Sequence, residues 1–173
     1  MTEQSSTVFI RPESDDDYSA VYQVNLVSFG RPNEARLVNN LRHLPGTISL
    51  VASLGDQVVG HIFFCPVAVD GSGALICALA PMAVHPAHQG QGIGSNLVQA
   101  GLQACQAEGY ELVVVLGHTW FYPRFGFRPA SPFGIHFPTP VPDEAFMVLE
   151  LVPGRLAACS GTVRYPAEFQ DVD

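Results

Sequence analysis

Residues 84–95 read Val-His-Pro-Ala-His-Gln-Gly-Gln-Gly-Ile-Gly-Ser: an apolar strand that ends at a proline, a glycine-rich turn and the start of a helix. Because Gly90, Gly92 and Gly94 carry no side chain, a ligand can approach their backbone closely. The first N–H groups of a helix lack intrahelical acceptors, and the helix dipole is positive at that end. The turn therefore predicts a site for pyrophosphate or another anion.

Two familiar phosphate-binding patterns fit this turn poorly. A P-loop ends in Gly-Lys-Ser/Thr, whereas Gly94 is followed by Ser95 and Asn96. The dinucleotide-binding fingerprint needs a glycine at position 95 and an acidic residue after the next strand, where Gly117 and His118 stand. The alternative without a ligand is a tight strand-to-helix turn.

Composition predicts one globular domain over residues 1–173. Of the 173 residues, 47% are hydrophobic and 14% are charged, which is typical of a compact fold with a sizeable core. The net charge of −8 gives a field that repels polyanions and attracts amines and cationic peptides. Nucleic acid is therefore not expected as a partner.

The chain shows no targeting or metal-binding pattern. Residues 1–6 lack the basic start and apolar run of a signal peptide, and no apolar stretch reaches about 18 residues, so we expect a cytoplasmic protein with no membrane partner. Four cysteines, far apart in sequence, predict buried free thiols. The six histidines lack ligand spacing, and we expect no metal.

Hydrophobic periodicity predicts a mixed α/β fold. A strand is followed by two helices, an antiparallel meander of three strands, a helix and a buried central strand parallel to the one before the helix. The predicted strands are 7–12, 49–54, 57–64, 74–84, 112–116, 127–130 and 145–151, and the predicted helices are 14–29, 34–44 and one from Gly92 to a stop at Gly109. Residues 129–142, with five prolines, predict an irregular rim or lid.

Two motifs and the order of elements carry a family resemblance. Gln89-x-x-Gly92-x-Gly94 resembles the coenzyme A pyrophosphate loop of the GCN5-related N-acetyltransferase (GNAT) superfamily. Residues 122–127, Tyr-Pro-Arg-Phe-Gly-Phe, resemble the Tyr-x-x-x-Gly-Phe element that follows the fifth strand in many members. Residues 34–38, Arg42 and residues 160–166 are similar to the YhbS-like branch. The resemblance implies a GNAT fold, with a central mixed sheet of about six or seven strands flanked by helices.

The resemblance implies acetyl-coenzyme A as the cosubstrate. In this fold the fourth strand parts from the fifth at a bulge, which we expect at Ala80-Pro81 because proline cannot donate to a strand ladder. The pantetheine arm would lie along the fourth strand, and the pyrophosphate on the turn after it. The implied binding residues are Met82, Ala83, Val84, Gln89, Gly90, Gln91, Gly92, Ile93, Gly94, Ser95 and Asn96.

The implied reaction is direct acetyl transfer to the primary amine of an acceptor in a ternary complex. By the family match, Tyr122 is the general acid for the departing thiolate; the alternative is an aromatic core residue. Glu34 is a candidate base, or else a helix N-terminal acid favoured by the dipole. His118 is a candidate acceptor contact or proton relay. A non-catalytic acyl-coenzyme A binding module is the alternative function, and the acceptor and a monomeric or homodimeric state stay open.

Overall fold

A computed structural model of the protein describes residues 7–172, with the backbone alone for 171–172. Residues 1–6, part of the basis for the cytoplasmic prediction, lie outside the described residues. The described chain has three α-helices: α1 Tyr18–Phe29, α2 Asn33–Leu41 and α3 Ile93–Ala107. Its strands are β1 Val8–Pro12, β2 Ile48–Leu54, β3 Gln57–Val69, β4 Ile76–Val84, β5 Leu112–Leu116, β6 Arg128–Pro129, β7 Ile135–His136, β8 Phe146–Glu150 and β9 Gly161–Arg164.

The strands form one mixed sheet in the order β1-β2-β3-β4-β5-β8-β6, with β9 pairing β3 and β7. Neighbours from β1 to β4 are antiparallel, β4 and β5 are parallel, and β8 returns antiparallel to β5. The predicted mixed α/β architecture is confirmed. The described residues contain nine strands, more than predicted, because β7 and β9 are too short to show a period in sequence.

The helices cover both faces of the sheet. Val21 of α1 and Leu41 of α2 pack into one apolar cluster with Phe63, whereas Leu97 of α3 packs into a second cluster with Phe64. Neighbouring residues of β3 thus face opposite layers, as the pleat of a strand requires. Within residues 7–172, no helix combines the length and the apolar character needed to cross a membrane.

Helix ends follow local signals, with two differences from the prediction: α1 begins at Tyr18 rather than at residue 14, because the 3₁₀ helix Asp15–Asp17 precedes it, and α2 ends early. α3 begins after Gly92, whose φ of +83° suits glycine, and Gly109 follows its end with a φ of +90°. α2 ends at Leu41 rather than at residue 44. Pro45 has no N–H to donate to the Leu41 carbonyl, which accepts instead from the N–H of Leu44 at 2.9 Å, so the α-helical bonding stops.

Arg42, just after α2, has a structural role. Its guanidinium donates to both carboxylate oxygens of Glu13, at 3.1 and 2.8 Å, and lies 3.9 Å from the centre of the Tyr18 ring. Both partners of the ion pair are largely buried, with 9% and 4% of their side chains exposed. The pair therefore fastens α2 and α1 to the segment that follows β1.

The four cysteines are free and buried, which confirms the sequence prediction. Sγ of Cys77 lies 3.6 Å from Sγ of Cys105, in the layer between β4 and α3. Burial raises the pKa of the Cys77 thiol well above its ordinary value, which opposes a role as a nucleophile. No group of three or more metal-ligating side chains comes together within residues 7–172.

A polar network lies in the core between α1 and the sheet. The His61 ring of β3 is fully buried, with Nε2 at 2.8 Å from Ser49 Oγ and Nδ1 at 3.1 Å from Asn25 Nδ2. Asn25 Nδ2 also donates to the Val21 carbonyl at 3.0 Å. This arrangement suits a neutral ring, because Nδ1 accepts from the amide. Burial, with a smaller contribution from the Arg42 charge, lowers the pKa of His61 to about 3.

The buried His61 predicts a specific loss of stability in mild acid. Its pKa is lowered in the folded state, so the unfolded chain takes up the extra proton as the pH falls below about 6.5. Between about pH 6.5 and 4.5 this one group contributes up to about 1.4 kcal/mol per pH unit, before most carboxylates titrate. Urea unfolding of His61→Gln should show a shallower pH slope than the wild type. Equal slopes would contradict a neutral buried ring.

Candidate functional site

The sheet has a gap between β4 and β5. The two strands pair only from Ile76 to Ala78 on β4 and from Leu112 to Val114 on β5, although β4 continues to Val84. The register of β4 against β3 shifts at the same place, so that Ala80 and Pro81 together stand opposite Phe63. This bulge confirms the predicted break at Ala80-Pro81, and it leaves the end of β4 without a partner on its β5 side.

Backbone direction decides which residues face the gap. The N–H of His85 donates to the Val59 carbonyl of β3 at 2.8 Å, and Ala83 pairs with His61 of the same strand. Because alternate residues of a strand direct their polar backbone groups to opposite sides, Met82 and Val84 direct theirs away from β3. An extended ligand could add to this edge as a further strand.

Two side chains already hold the Val84 carbonyl. Ser28 Oγ donates to it from α1 at 3.0 Å, and Gln89 Nε2 donates to it from the glycine turn at 3.0 Å. Gln89, predicted from sequence as a ligand-binding residue, thus ties the turn to β4 through its side chain. With both lone pairs of the carbonyl engaged, the groups left for a ligand on this edge are the Met82 backbone and the Val84 N–H.

The glycine turn ends at the mouth of the gap. Gly90 and Gly92 have φ values of +76° and +83°, and both are exposed. The first intrahelical bond is donated by Asn96 to the Gly92 carbonyl at 3.1 Å, so the N–H groups of residues 93–95 have no acceptor within the helix. Asn96 itself is exposed one turn into α3. These free amides are what an anion-binding site requires.

Tyr122 lies on the β5 side of the same gap. It begins the 3₁₀ helix Tyr122–Phe125, and its ring packs against Phe121, Phe127 and the backbone of Gly117. The residue is only 6% exposed, and its hydroxyl has no hydrogen-bond partner among residues 7–172. Burial raises the pKa of Tyr122 to about 12. The hydroxyl is therefore protonated at neutral pH and available as a donor.

The other two predicted catalytic residues lie in different surroundings. His118 is exposed, its ring stacks on Trp120 at 5.4 Å, and its carbonyl accepts from the N–H groups of Phe121 and Tyr122. Glu34 lies in the first turn of α2 and is engaged by the Arg31 guanidinium. Within residues 7–172, no hydrogen bond joins Glu34 to His118 or Tyr122. The structure thus places His118 beside Tyr122 and Glu34 on a separate element.

Sequence reasoning missed two residues of the site. Ser28 holds the Val84 carbonyl from α1, and the Arg124 guanidinium lies 3.4 Å from Ser95 Oγ in the first turn of α3. Ser28 gave no signal, because a serine near the end of a helix is unremarkable. Arg124 did give a signal in the sequence. It is one of only eight cationic residues, all of them arginines, and it lies within the Tyr122 motif.

Taken together, the gap is a narrow slot with chemically distinct ends. Leu79 and Val115 are buried beside it, and Met82, Val84 and Phe121 all come within 4 Å of a Cβ built at Gly94, where α3 begins. The slot offers strand-like backbone groups, a turn with free N–H groups at its mouth and a protonated hydroxyl at its side. These groups fit a long, flexible ligand that carries a pyrophosphate at one end.

Comparisons with known proteins agree with this geometry. Residues 45–129 match the family model described as the acetyltransferase (GNAT) domain. The chain is 35% identical over 165 residues to the uncharacterised N-acetyltransferase YhbS of Escherichia coli, covering 94% of this chain and 98% of the relative.

Two solved structures extend the match to three dimensions. The crystal structure of Escherichia coli YhbS in complex with coenzyme A has a TM-score of 0.91 at 33% identity, over 98% of this chain and 96% of that one. A GNAT family acetyltransferase from Brucella melitensis, in complex with acetyl-coenzyme A, has a TM-score of 0.79 at 32% identity, over 95% of this chain and 99% of that one. The protein therefore belongs to the GNAT family of N-acetyltransferases.

Proposed function

We propose that this protein transfers the acetyl group of acetyl-coenzyme A directly to a primary amine of an acceptor, within a ternary complex. The observation that carries the proposal is the unpartnered edge of β4 beyond Ala78, which opens at the free amides of α3 and beside the Tyr122 ring. The bound coenzyme A and acetyl-coenzyme A of the two structural neighbours support it.

In this proposal the donor spans the slot from end to end. The backbone of Met82 and the N–H of Val84 bond the pantetheine arm, while the N–H groups of residues 91–95 bind the pyrophosphate. Gln89 and Gly90 shape the turn, and Asn96 contacts the donor from the next turn of α3. Ala83 pairs with β3, so its backbone contributes to the sheet and is left out of the donor contacts.

Different groups around the slot take part in different steps of the acetyl transfer. The acceptor nitrogen attacks the thioester carbonyl carbon, a backbone N–H near Met82 polarises the carbonyl oxygen, and the carbon–sulfur bond breaks as the carbon–nitrogen bond forms. Tyr122 gives its proton to the departing thiolate. The amine proton passes to His118, to Glu34 or to water. Of the two side chains, His118 is closer to Tyr122 in the sequence, and its carbonyl accepts from the Tyr122 N–H.

Burial makes a tyrosine a suitable acid for this thiolate. A thiol has an ordinary pKa of about 8.5, so a tyrosine with a pKa of about 12 would be a poor proton donor to a thiolate in water. Tyr122 is buried, however, and a thiolate held against its hydroxyl would be shielded from water as well. Burial raises the pKa of Cys65, a thiol in the core of this protein, to about 12. Burial of the departing thiolate beside Tyr122 would act in the same direction, because burial disfavours the charged form, and would make the thiolate a better proton acceptor than it is in water.

Titration calorimetry tests the donor site directly. Acetyl-coenzyme A should release or absorb heat on binding, and in a separate thermal scan it should raise the temperature of unfolding with the logarithm of its concentration, because it stabilises the folded state alone. NAD, a dinucleotide that also carries a pyrophosphate, is the control and should do neither. Absence of binding by acetyl-coenzyme A would overturn the proposed function.

Tyr122→Phe tests the acid. We expect kcat for acetyl transfer to fall by about 10²- to 10⁴-fold, because general acid catalysis is removed, with a much smaller change in coenzyme A affinity. The matched control is Tyr110→Phe, which removes a buried hydroxyl bonded to the Gly46 carbonyl at 2.6 Å, away from the slot. Thiol release against a panel of amines is the measurement. Unchanged turnover in Tyr122→Phe would exclude the acid role, and binding without turnover for every amine would favour the non-catalytic module.

Gly117→Ala tests the position of the same ring without removing its hydroxyl. A Cβ at Gly117 would lie 2.5 Å from Tyr122 Cε2, so the ring must move away from β5. We expect a fall in kcat and a loss of about 1–3 kcal/mol in the free energy of unfolding. Gly73→Ala is the matched control, because a Cβ at that glycine meets nothing within 4 Å, and it should leave kcat unchanged. A Gly117→Ala variant with wild-type kcat would mean that the ring position does not matter.

A further inference from the structure

Ser28 lies in the last turn of α1, and its hydroxyl bonds outside its own helix. A serine within a helix commonly donates to the carbonyl four residues before it. Ser28 Oγ instead donates to the Val84 carbonyl of β4, at 3.0 Å. The side chain therefore links the end of α1 to the strand edge that faces the slot.

A buried contact one turn earlier holds α1 in place at this point. Asn25 Nδ2 lies 3.1 Å from His61 Nδ1, and both side chains are fully buried. His61 in turn pairs with Ala83 of β4, the residue before Val84. Asn25 and Ser28 share a face of α1, so packing in the core directs the Ser28 hydroxyl to Val84.

The Val84 carbonyl has both of its acceptor positions filled. Gln89 Nε2 donates to it at 3.0 Å from the glycine turn, in addition to Ser28. A carbonyl oxygen has two lone pairs. An N–H group of an extended ligand can therefore bond the Met82 carbonyl, which faces the slot, but finds the Val84 carbonyl occupied.

An extended ligand could otherwise bond this edge in more than one register. Backbone groups on one side of a strand repeat every two residues, about 6.6 Å along the strand. The pantetheine arm carries amide N–H groups and is flexible, so an amide that shifts from the Met82 carbonyl to the Val84 carbonyl would draw the thioester about 6.6 Å toward the mouth. A thioester so far from Tyr122 would not react, because reacting groups must come within about 3.5 Å of each other.

We propose that Ser28 is a positioning residue that fixes the register of the donor, by occupying the Val84 carbonyl together with Gln89. The inference rests on the proposed function and adds to it a residue that lies outside both sequence motifs. In this role Ser28 acts through the backbone of Val84 rather than on the reacting atoms. With the Val84 carbonyl occupied, the arm bonds the Met82 carbonyl and the thioester lies beside Tyr122.

Steady-state kinetics of Ser28→Ala tests the register, with acetyl-coenzyme A varied at saturating amine. The variant frees one acceptor position on the Val84 carbonyl, so part of the donor binds in the shifted register and does not react. Such nonproductive binding lowers kcat and the KM for acetyl-coenzyme A by the same factor, and it leaves kcat/KM unchanged because free enzyme still captures the donor productively at the same rate. We expect a factor of about two to ten, the range that one hydrogen bond gives.

Three further variants complete the test. Ser28→Thr keeps the hydroxyl and should restore wild-type kcat and KM. Ser28→Cys keeps the size of the side chain but donates weakly, so it should change both constants in the same direction as Ser28→Ala even if the alanine variant folds poorly. Thr47→Ala is the matched control, because it removes a part-buried hydroxyl that donates to the Leu44 carbonyl at 3.2 Å, before β2 begins. It should leave both constants unchanged.

The outcomes separate the two claims. Wild-type protein that does not transfer the acetyl group to any amine would overturn the proposed function. Wild-type protein that is active, together with Ser28→Ala and Ser28→Cys variants of unchanged kcat and KM, would overturn the role of Ser28 alone. A fall in kcat/KM would also overturn it, because the donor would then be bound more weakly or the site distorted, rather than the register divided.

Discussion

The end of β4–β5 pairing at Ala78 and Val114 is the constraint on which the rest of the site depends. A proline in the bulge of β4 cannot donate to a ladder, and the strand leaves its neighbour there with its backbone groups unpartnered on one side. Unpaired backbone groups along a strand edge can bond to a further extended segment. The fold therefore contains a place for an extended ligand in the middle of its sheet, without any specialised side chain.

Two fastenings keep that edge in position. Asn25 and Ser28 are three residues apart on α1 and so share one face of the helix. Asn25 reaches the buried His61 of β3, and Ser28 reaches the carbonyl of Val84 at the end of β4. From the other side, Gln89 bonds the same carbonyl and links it to the glycine turn. The strand that would hold the donor is thus tied both to the core and to the glycine turn.

The slot has an apolar inner part and a positively charged mouth. Its inner part is apolar, and burial there raises the pKa of Tyr122 to about 12, so that the hydroxyl is protonated at neutral pH. Its mouth collects positive groups, the free amides of α3 and the guanidinium of Arg124, in a chain whose overall charge is −8. A donor with a polyanionic end and a thioester end matches both conditions. The match requires the polyanionic end and the thioester end of the donor to be separated by the length of the slot.

The sequence by itself determined the family, the mixed α/β class, the glycine turn at the start of α3 and the bulge at Ala80-Pro81. These features are local: glycine at positive φ, proline without an N–H and runs of apolar residues with a regular period leave their marks within a few positions. The short strands β7 and β9 were not predicted, because two to four residues are too few to show a hydrophobic period. That Ser28 holds the Val84 carbonyl and that Arg124 lies against Ser95 were decided by the tertiary structure alone. Each joins groups from different elements, and distances between elements are set by packing in the core rather than by spacing along the chain.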